Sequence, residues 1–194
     1  MAITTEQIKE LRDATGVSVM QCKKALEEAD GDQEKAKIAL QKQSKAVASK
    51  KADRNLGAGT VASYVHAGGM VGTLVELACE TDFVSKNKEF KQLAYDIAMQ
   101  VAASAPEFLN RKEVTAEQEA KVKEVFQKEL KGKPAEIQEK IMQGKLDSYF
   151  DEKVLLDQSF IKDSDRKISD LIESGIQKFG ERIEIVRFTR FSVK

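Results

Sequence analysis

Apolar residues recur at helical spacing through the first 54 positions, and three short helices account for them. Thr4 or Thr5 can cap the first, which turns Ile8 and Leu11 inward and stops at the Thr15-Gly16 turn signal. Ser18 can cap the second, whose Val19, Cys22, Ala25, Leu26 and Ala29 share one face. Asp30-Gly31-Asp32 interrupts the pattern, with Asp32 placed to cap a third helix that buries Ala36, Ala39 and Leu40. The period then changes to two. Residues 60–66 and 70–79 alternate on either side of Gly68-Gly69, a hairpin signal.

Helical spacing returns with Phe90, Leu93, Ala94, Ile97, Ala98 and Val101, and ends before Pro106. Thr115-Ala-Glu-Gln118 has the form of a capping box and opens a helix with Val122, Val125, Phe126 and Leu130 inward. Pro134 can start another, carrying Ile137, Ile141, Met142 and Leu146. A last helix bears Ile168, Leu171, Ile172, Ile176 and Phe179 and closes at Gly180. The terminal strand sets Ile183, Ile185, Thr189, Phe191 and Val193 against Arg182, Glu184, Arg187 and Arg190, with Arg187 breaking the apolar face. The expected fold is α+β: a three-helix domain over residues 1–54, then a core over 55–194. In that core a three-stranded antiparallel sheet packs against helices, with a helical insertion around 110–165.

Composition narrows the function. Lys+Arg and Asp+Glu are both 32, and this zero balance argues against DNA or bulk RNA as the main ligand. One stretch, 41–54, is locally basic, with Lys42, Lys45, Lys50, Lys51 and Arg54 against Asp53 alone. It fits a solvated helix end and linker, or a surface for an acidic patch on a partner. Cys22 and Cys79 form no disulfide framework and no paired-cysteine metal spacing, which suits a reducing cytoplasm. The start has neither a basic segment nor an apolar run, so no signal peptide or membrane span is expected.

Residues that could do covalent chemistry are scarce. The single histidine, His66, sits beside the hairpin turn, where a satisfied strand histidine is the ordinary case. There is no nucleophile elbow, no phosphate-loop lysine and no cluster with metal-ligand spacing. Two features remain. Met20 points roughly opposite the buried stripe of its helix, among Lys23, Lys24 and Glu27, a setting that suits a protein contact. The segment Cys79-Glu-Thr-Asp-Phe-Val-Ser-Lys-Asn87 is a loop between a strand and a long helix, a place where function concentrates. A purely structural loop would tuck Phe83 or Val84 under the following helix and use Asp82 or Asn87 as its cap.

Specific motifs resolve the choice. Leu11-Arg-Asp-Ala-Thr-Gly16, Cys22-Lys-Lys-Ala-Leu26 and Ala29-Asp-Gly-Asp32 resemble the N-terminal domain of the bacterial elongation factor Ts family. Val75-Glu-Leu-Ala-Cys-Glu-Thr-Asp-Phe-Val84 resembles that family's core motif, and Ile185-Val-Arg-Phe188 fits its terminal strand. Gln21 departs, standing where members often carry Asp. Longer members also have a second core-like half and a long coiled coil, for which the helices between Thr115 and Leu146 are too short.

The resemblance implies a ubiquitin-associated-like fold for the first domain and guanine-nucleotide exchange on elongation factor Tu. Met20 and Lys23 would lie in the docking contact, and Thr81, Asp82, Phe83 and Val84 would form a loop beside the nucleotide's magnesium. The protein itself would need no cofactor, metal, direct nucleic-acid contact or membrane. With one core copy, it can form a homodimer through the terminal strand. A helical protein-interaction adaptor and an RNA-binding accessory factor are the alternative functions.

Overall fold

The computed structural model describes residues 3–129 and 135–193; Leu130 and Pro134, expected in helices, lie outside them. Three helices come first: α1 (Thr5–Thr15), α2 (Val19–Glu28) and α3 (Gln33–Lys51). Thr4 caps α1 in a reciprocal box with Gln7, at 3.2 and 3.0 Å, which satisfies two backbone donors the helix cannot. Gly16 ends α1 in the left-handed region at φ 71°, and its N–H donates to the Arg12 carbonyl. Ser18 caps α2, and its hydroxyl donates to Gln21 Oε1 at 2.9 Å, so the Gln21 departure is absorbed within the cap. Asp32 caps α3 by accepting from Lys35 N.

A small core of Leu11, Cys22, Leu26, Ala36 and Leu40 joins the three helices. Val19, expected inward, is instead 51% exposed. Val17 takes its place: it precedes the cap and packs with Cys22 in the same cluster, a hydrophobic staple that turns the first residue of α2 outward.

Next come β1 (Ala58–His66), β2 (Val71–Cys79), the single-turn α4 (Asp82–Ser85) and α5 (Lys88–Ser104). They are followed by α6 (Ala116–Glu129), α7 (Ala135–Lys153), a small hairpin of β3 (Ser159–Phe160) and β4 (Asp163–Lys167), α8 (Ile168–Phe179) and β5 (Ile183–Ser192). The main sheet is antiparallel in the order β1-β2-β5, with β2 central. Gly68 and Gly69 carry positive φ at the β1–β2 turn, as the sequence required. The principal core lies between the inner face of this sheet and helices α5 and α8, around Val75, Leu77, Phe90, Ile97, Ile172 and Ile185.

The terminal strand corrects the expected alternation. Glu76 pairs with Arg187 but Leu77 pairs with Ile185, so Val186 is an extra residue, a β-bulge that reverses which face each later side chain takes. Ile183 and Ile185 stay buried, Phe188 turns toward the core, and Phe191 and Val193 are exposed. Arg187 stands on the outer face, its Nε 2.6 Å from Glu76 Oε2.

In the insertion, α6 and α7 pair around Leu146, Phe150 and Val154, with Val122 and Phe126 alongside. Val125, expected inward, is exposed because α6 packs against α7 on one side only. The β3–β4 hairpin was not anticipated. Buried Gln100 of α5 holds it, accepting from Ile161 N at 2.9 Å and donating to the Ser159 carbonyl at 3.1 Å.

The basic stretch is no free linker through Lys51. It is the second half of α3, which packs on α8: Val47 and Ala48 meet the principal core, and buried Ser44 hydrogen-bonds Gln177. Lys51 Nζ donates to the Gly180 carbonyl at 2.6 Å, closing the C-terminal end of α8.

Candidate partner-binding loop and helix face

The loop after β2 is built from a single helical turn followed at once by a capped helix. Strand β2 ends at Cys79, α4 occupies Asp82–Ser85, and Asn87 caps α5 by accepting from Glu89 N at 2.8 Å. Within this turn two adjacent apolar residues part company. Val84 is 3% exposed and belongs to the principal core; Phe83 is 81% exposed. A turn of helix separates neighbours by about 100°, so anchoring one projects the other. The loop therefore satisfies the structural expectation with Val84 and Asn87 while leaving Phe83 free of it.

The polar residues around Phe83 are all engaged. Asp82 Oδ2 lies 2.5 Å from Lys86 Nζ, one turn on, with both side chains in solvent. The Lys86 ammonium holds the Asp82 carboxyl below the usual carboxylate range, so it is ionised at neutral pH. Thr81 occupies the N-cap position of α4, but its hydroxyl bonds Glu181 Oε1 at 2.5 Å instead of capping. Glu181 Oε2 accepts from Glu80 N at 3.1 Å and Thr81 N at 3.0 Å.

Glu80 in turn accepts from Arg182 N at 2.5 Å and from Arg54 at 3.2 and 3.3 Å. The Arg182 N–H and the Arg54 guanidinium hold its carboxyl below the ordinary glutamate value. Sequence reasoning found the loop but missed Arg54, Glu80, Glu181 and Arg182. Glu80 sat within the quoted motif without a role, and the others are too distant in sequence for any periodicity to link them.

The second candidate surface is the outer face of α2. Met20 is 75% exposed, Val19 lies beside it, and Lys23 pairs with Glu27 at 3.7 Å across one turn. Cys22, Ala25 and Leu26 hold the opposite face. Val19 thus enlarges the apolar patch that Met20 alone marked in the sequence.

Other chemistry is sparse. His66 is exposed and its Nδ1 lies 2.9 Å from the Tyr64 hydroxyl. Burial pushes both cysteine thiols up, Cys79 donating to the Thr81 carbonyl at 3.2 Å. Among the described residues, no group of His, Cys, Asp or Glu could hold a metal ion, and no helix is long and apolar enough to cross a membrane.

Comparison with known proteins covers nearly the whole chain. The profile of the family described as Elongation factor TS matches residues 4–194. Elongation factor Ts of Syntrophomonas wolfei is 50% identical, covering 98% of this chain and 90% of the relative. Elongation factor Ts of Thermodesulfovibrio yellowstonii is 49% identical over 100% of this chain and 97% of the relative. Elongation factor Ts of Thermotoga petrophila is 47% identical, again over 100% and 97%. With the family profile and these relatives spanning the chain nearly from end to end, the chain belongs to the elongation factor Ts family of translation elongation.

Proposed function

We propose that this chain is the guanine-nucleotide exchange factor for elongation factor Tu, acting in the cytoplasm without covalent chemistry. Residues 1–54 serve as the docking unit, with Met20 and Lys23 in the contact, and residues 55–194 form the core that carries the loop. The observation that carries this reading is Phe83: an aromatic ring 81% exposed, on a turn whose next residue is locked in the core. An isolated ring in water has no stabilising partner here, and burying it in the GTPase would be worth about 1.5–3 kcal/mol.

The proposed mechanism is differential binding. Phe83 wedges between side chains that order the nucleotide site, Thr81 and Asp82 approach the groups around the magnesium, and Val84 anchors the turn from beneath. Mg²⁺ keeps several waters in near-ideal octahedral geometry, so a small displacement of its shell weakens it. Asp82 is suited to that competition because it is ionised and its ion pair with Lys86 lies in solvent. The effect is reciprocal: if the factor weakens GDP a hundredfold, about 2.7 kcal/mol, GDP weakens the factor equally.

The deciding experiment mixes the chain with elongation factor Tu carrying a fluorescent GDP. Accelerated release, opposed by added magnesium, is expected; release at the spontaneous rate would overturn the assignment.

A second copy of the chain is a further proposed partner. Strand β5 is at the sheet edge, with Phe191 exposed on it and Val193 exposed just past its end. Neither cysteine lies in that strand, so the dimer would be non-covalent. Light scattering that shows a monomer both free and in complex would remove this partner.

A further inference from the structure

The bonds within residues 82–85 shape the Phe83 turn but do not fix where it points. Asp82 and Lys86 pair in open solvent, and an exposed pair of this kind contributes little to order. Val84 holds the turn in the core from beneath, and a second attachment lies one step earlier, between the end of β2 and the start of α4. There the N–H groups of Glu80 and Thr81 belong to neither the sheet ladder nor the helix, and both donate to one oxygen of Glu181. The Thr81 hydroxyl takes the other oxygen, so one carboxylate holds three donors at the base of the tip. Ionised acceptors of this kind make shorter and stronger bonds than neutral ones.

The attachment is mutual. Arg182 N, one residue after Glu181, donates to the Glu80 carboxylate, while Glu80 N donates to the Glu181 carboxylate. Two connecting turns therefore exchange carboxylates. The turn that supplies Glu181 is itself fixed. Gly180 ends α8 in the left-handed region at φ 72°, bonded to the Ile176 carbonyl, and Lys51 of α3 caps its own carbonyl.

We infer that Glu181 is a positioning residue for nucleotide exchange: its carboxylate aims the Phe83 tip. This rests on the exchange reading above. Misplacing a working group by about 1 Å from a distance can cost up to roughly a hundredfold in rate, so loss of the clamp affects the exchange step and spares docking through α2.

The test has two readouts. The chain has no tryptophan, so Phe83→Trp places a single tryptophan at the tip, excited at wavelengths its three tyrosines do not absorb. On the free chain, its anisotropy should fall when Glu181→Ala is added and recover with Glu181→Gln, which still presents an acceptor to the two N–H groups. In exchange assays, Glu181→Ala alone should lower the maximal GDP-release rate roughly ten- to hundredfold. The half-saturating concentration should stay put, and Glu181→Gln should restore much of the rate.

If Glu181→Ala does not fold, Glu181→Asp, which keeps the charge but shortens the reach, takes its place with the same expectations. Unchanged anisotropy and unchanged maximal rate, in a system where Phe83→Ala does slow release, would overturn the inference and leave the exchange reading standing. If Phe83→Ala has no effect on release, the wedge fails and with it the role of Glu181 in exchange, and the anisotropy alone decides whether Glu181 holds the loop.

Discussion

The α2 face and the loop after β2 both present an exposed apolar side chain among charges, yet they are held by different means. Met20 needs nothing beyond its own helix: backbone periodicity places it opposite Cys22 and Leu26, and Lys23 pairs with Glu27 only one turn away. Phe83 stands on a single turn of four residues, too short to fix its own direction. Its base is tied by Arg54, Glu181 and Arg182 from two distant segments. A helix face is an inherent binding surface, whereas a projecting tip has to be aimed by the rest of the fold. The first suits docking, and the second suits a step that depends on position.

The largest expected effect tests whether docking depends on the small three-helix core. Leu26→Ala empties a site with no exposure in that core and should cost about 2–5 kcal/mol of stability. Denaturant unfolding measures it. If affinity for the GTPase survives after the three-helix core has melted, the α2 face is not the handle.

Next in size is the contrast inside the loop. Phe83→Ala should leave stability within about 0.5 kcal/mol, yet slow GDP release roughly ten- to hundredfold, the equivalent of the ring's burial. Val84→Ala should do the opposite, losing about 1.6 kcal/mol of stability for two buried carbons. Melting temperature, affinity and GDP release on the same samples separate the two. A folded, tightly binding Phe83→Ala chain with undiminished exchange would end the proposed wedge.

The Met20→Ala/Lys23→Ala double variant should weaken binding by more than about 1 kcal/mol with no change in unfolding midpoint. Unaltered affinity would move the docking contact elsewhere. Asp82→Ala should have a smaller effect, slowing release and reducing the opposition between added magnesium and the factor.

The smallest effect is on pH. The folded pKa of Glu80 lies below its ordinary value, so its contribution is complete above the usual glutamate range. It is lost as pH falls through the depressed value. The difference in melting temperature between the native chain and Glu80→Gln should therefore shrink on acidification; a constant difference would show that the Glu80 charge does not matter.

The contrast also explains what the sequence could disclose. Helix starts were legible at Thr4, Ser18, Asp32 and Thr115, because a cap is a short-range bond between residues three apart. The Gly68-Gly69 turn was legible because it needs positive φ. Val19 was misplaced because the staple recruits Val17 from outside the helical repeat, and the terminal strand because a single bulge at Val186 reverses a period of two. Around Phe83, the place of the loop between a strand and a long helix was visible. The division between exposed Phe83 and buried Val84 was not, since both are apolar and only the packing distinguishes them. The carboxylate at the base was invisible, because Glu181 meets Thr81 across a separation of 100 residues.

Helix α3 has a mechanical consequence. At about 1.5 Å per residue its 19 residues form a spar about 28 Å long, one end sunk in each core. Ala36 and Leu40 fasten it in one core, and Ser44, Val47 and Lys51 in the other, with no glycine or proline between to act as a joint. The two cores therefore share one continuous helix, whose last turn is tied to Gly180, the residue next to Glu181. Amide protons midway along that rod should exchange only when both cores let go together.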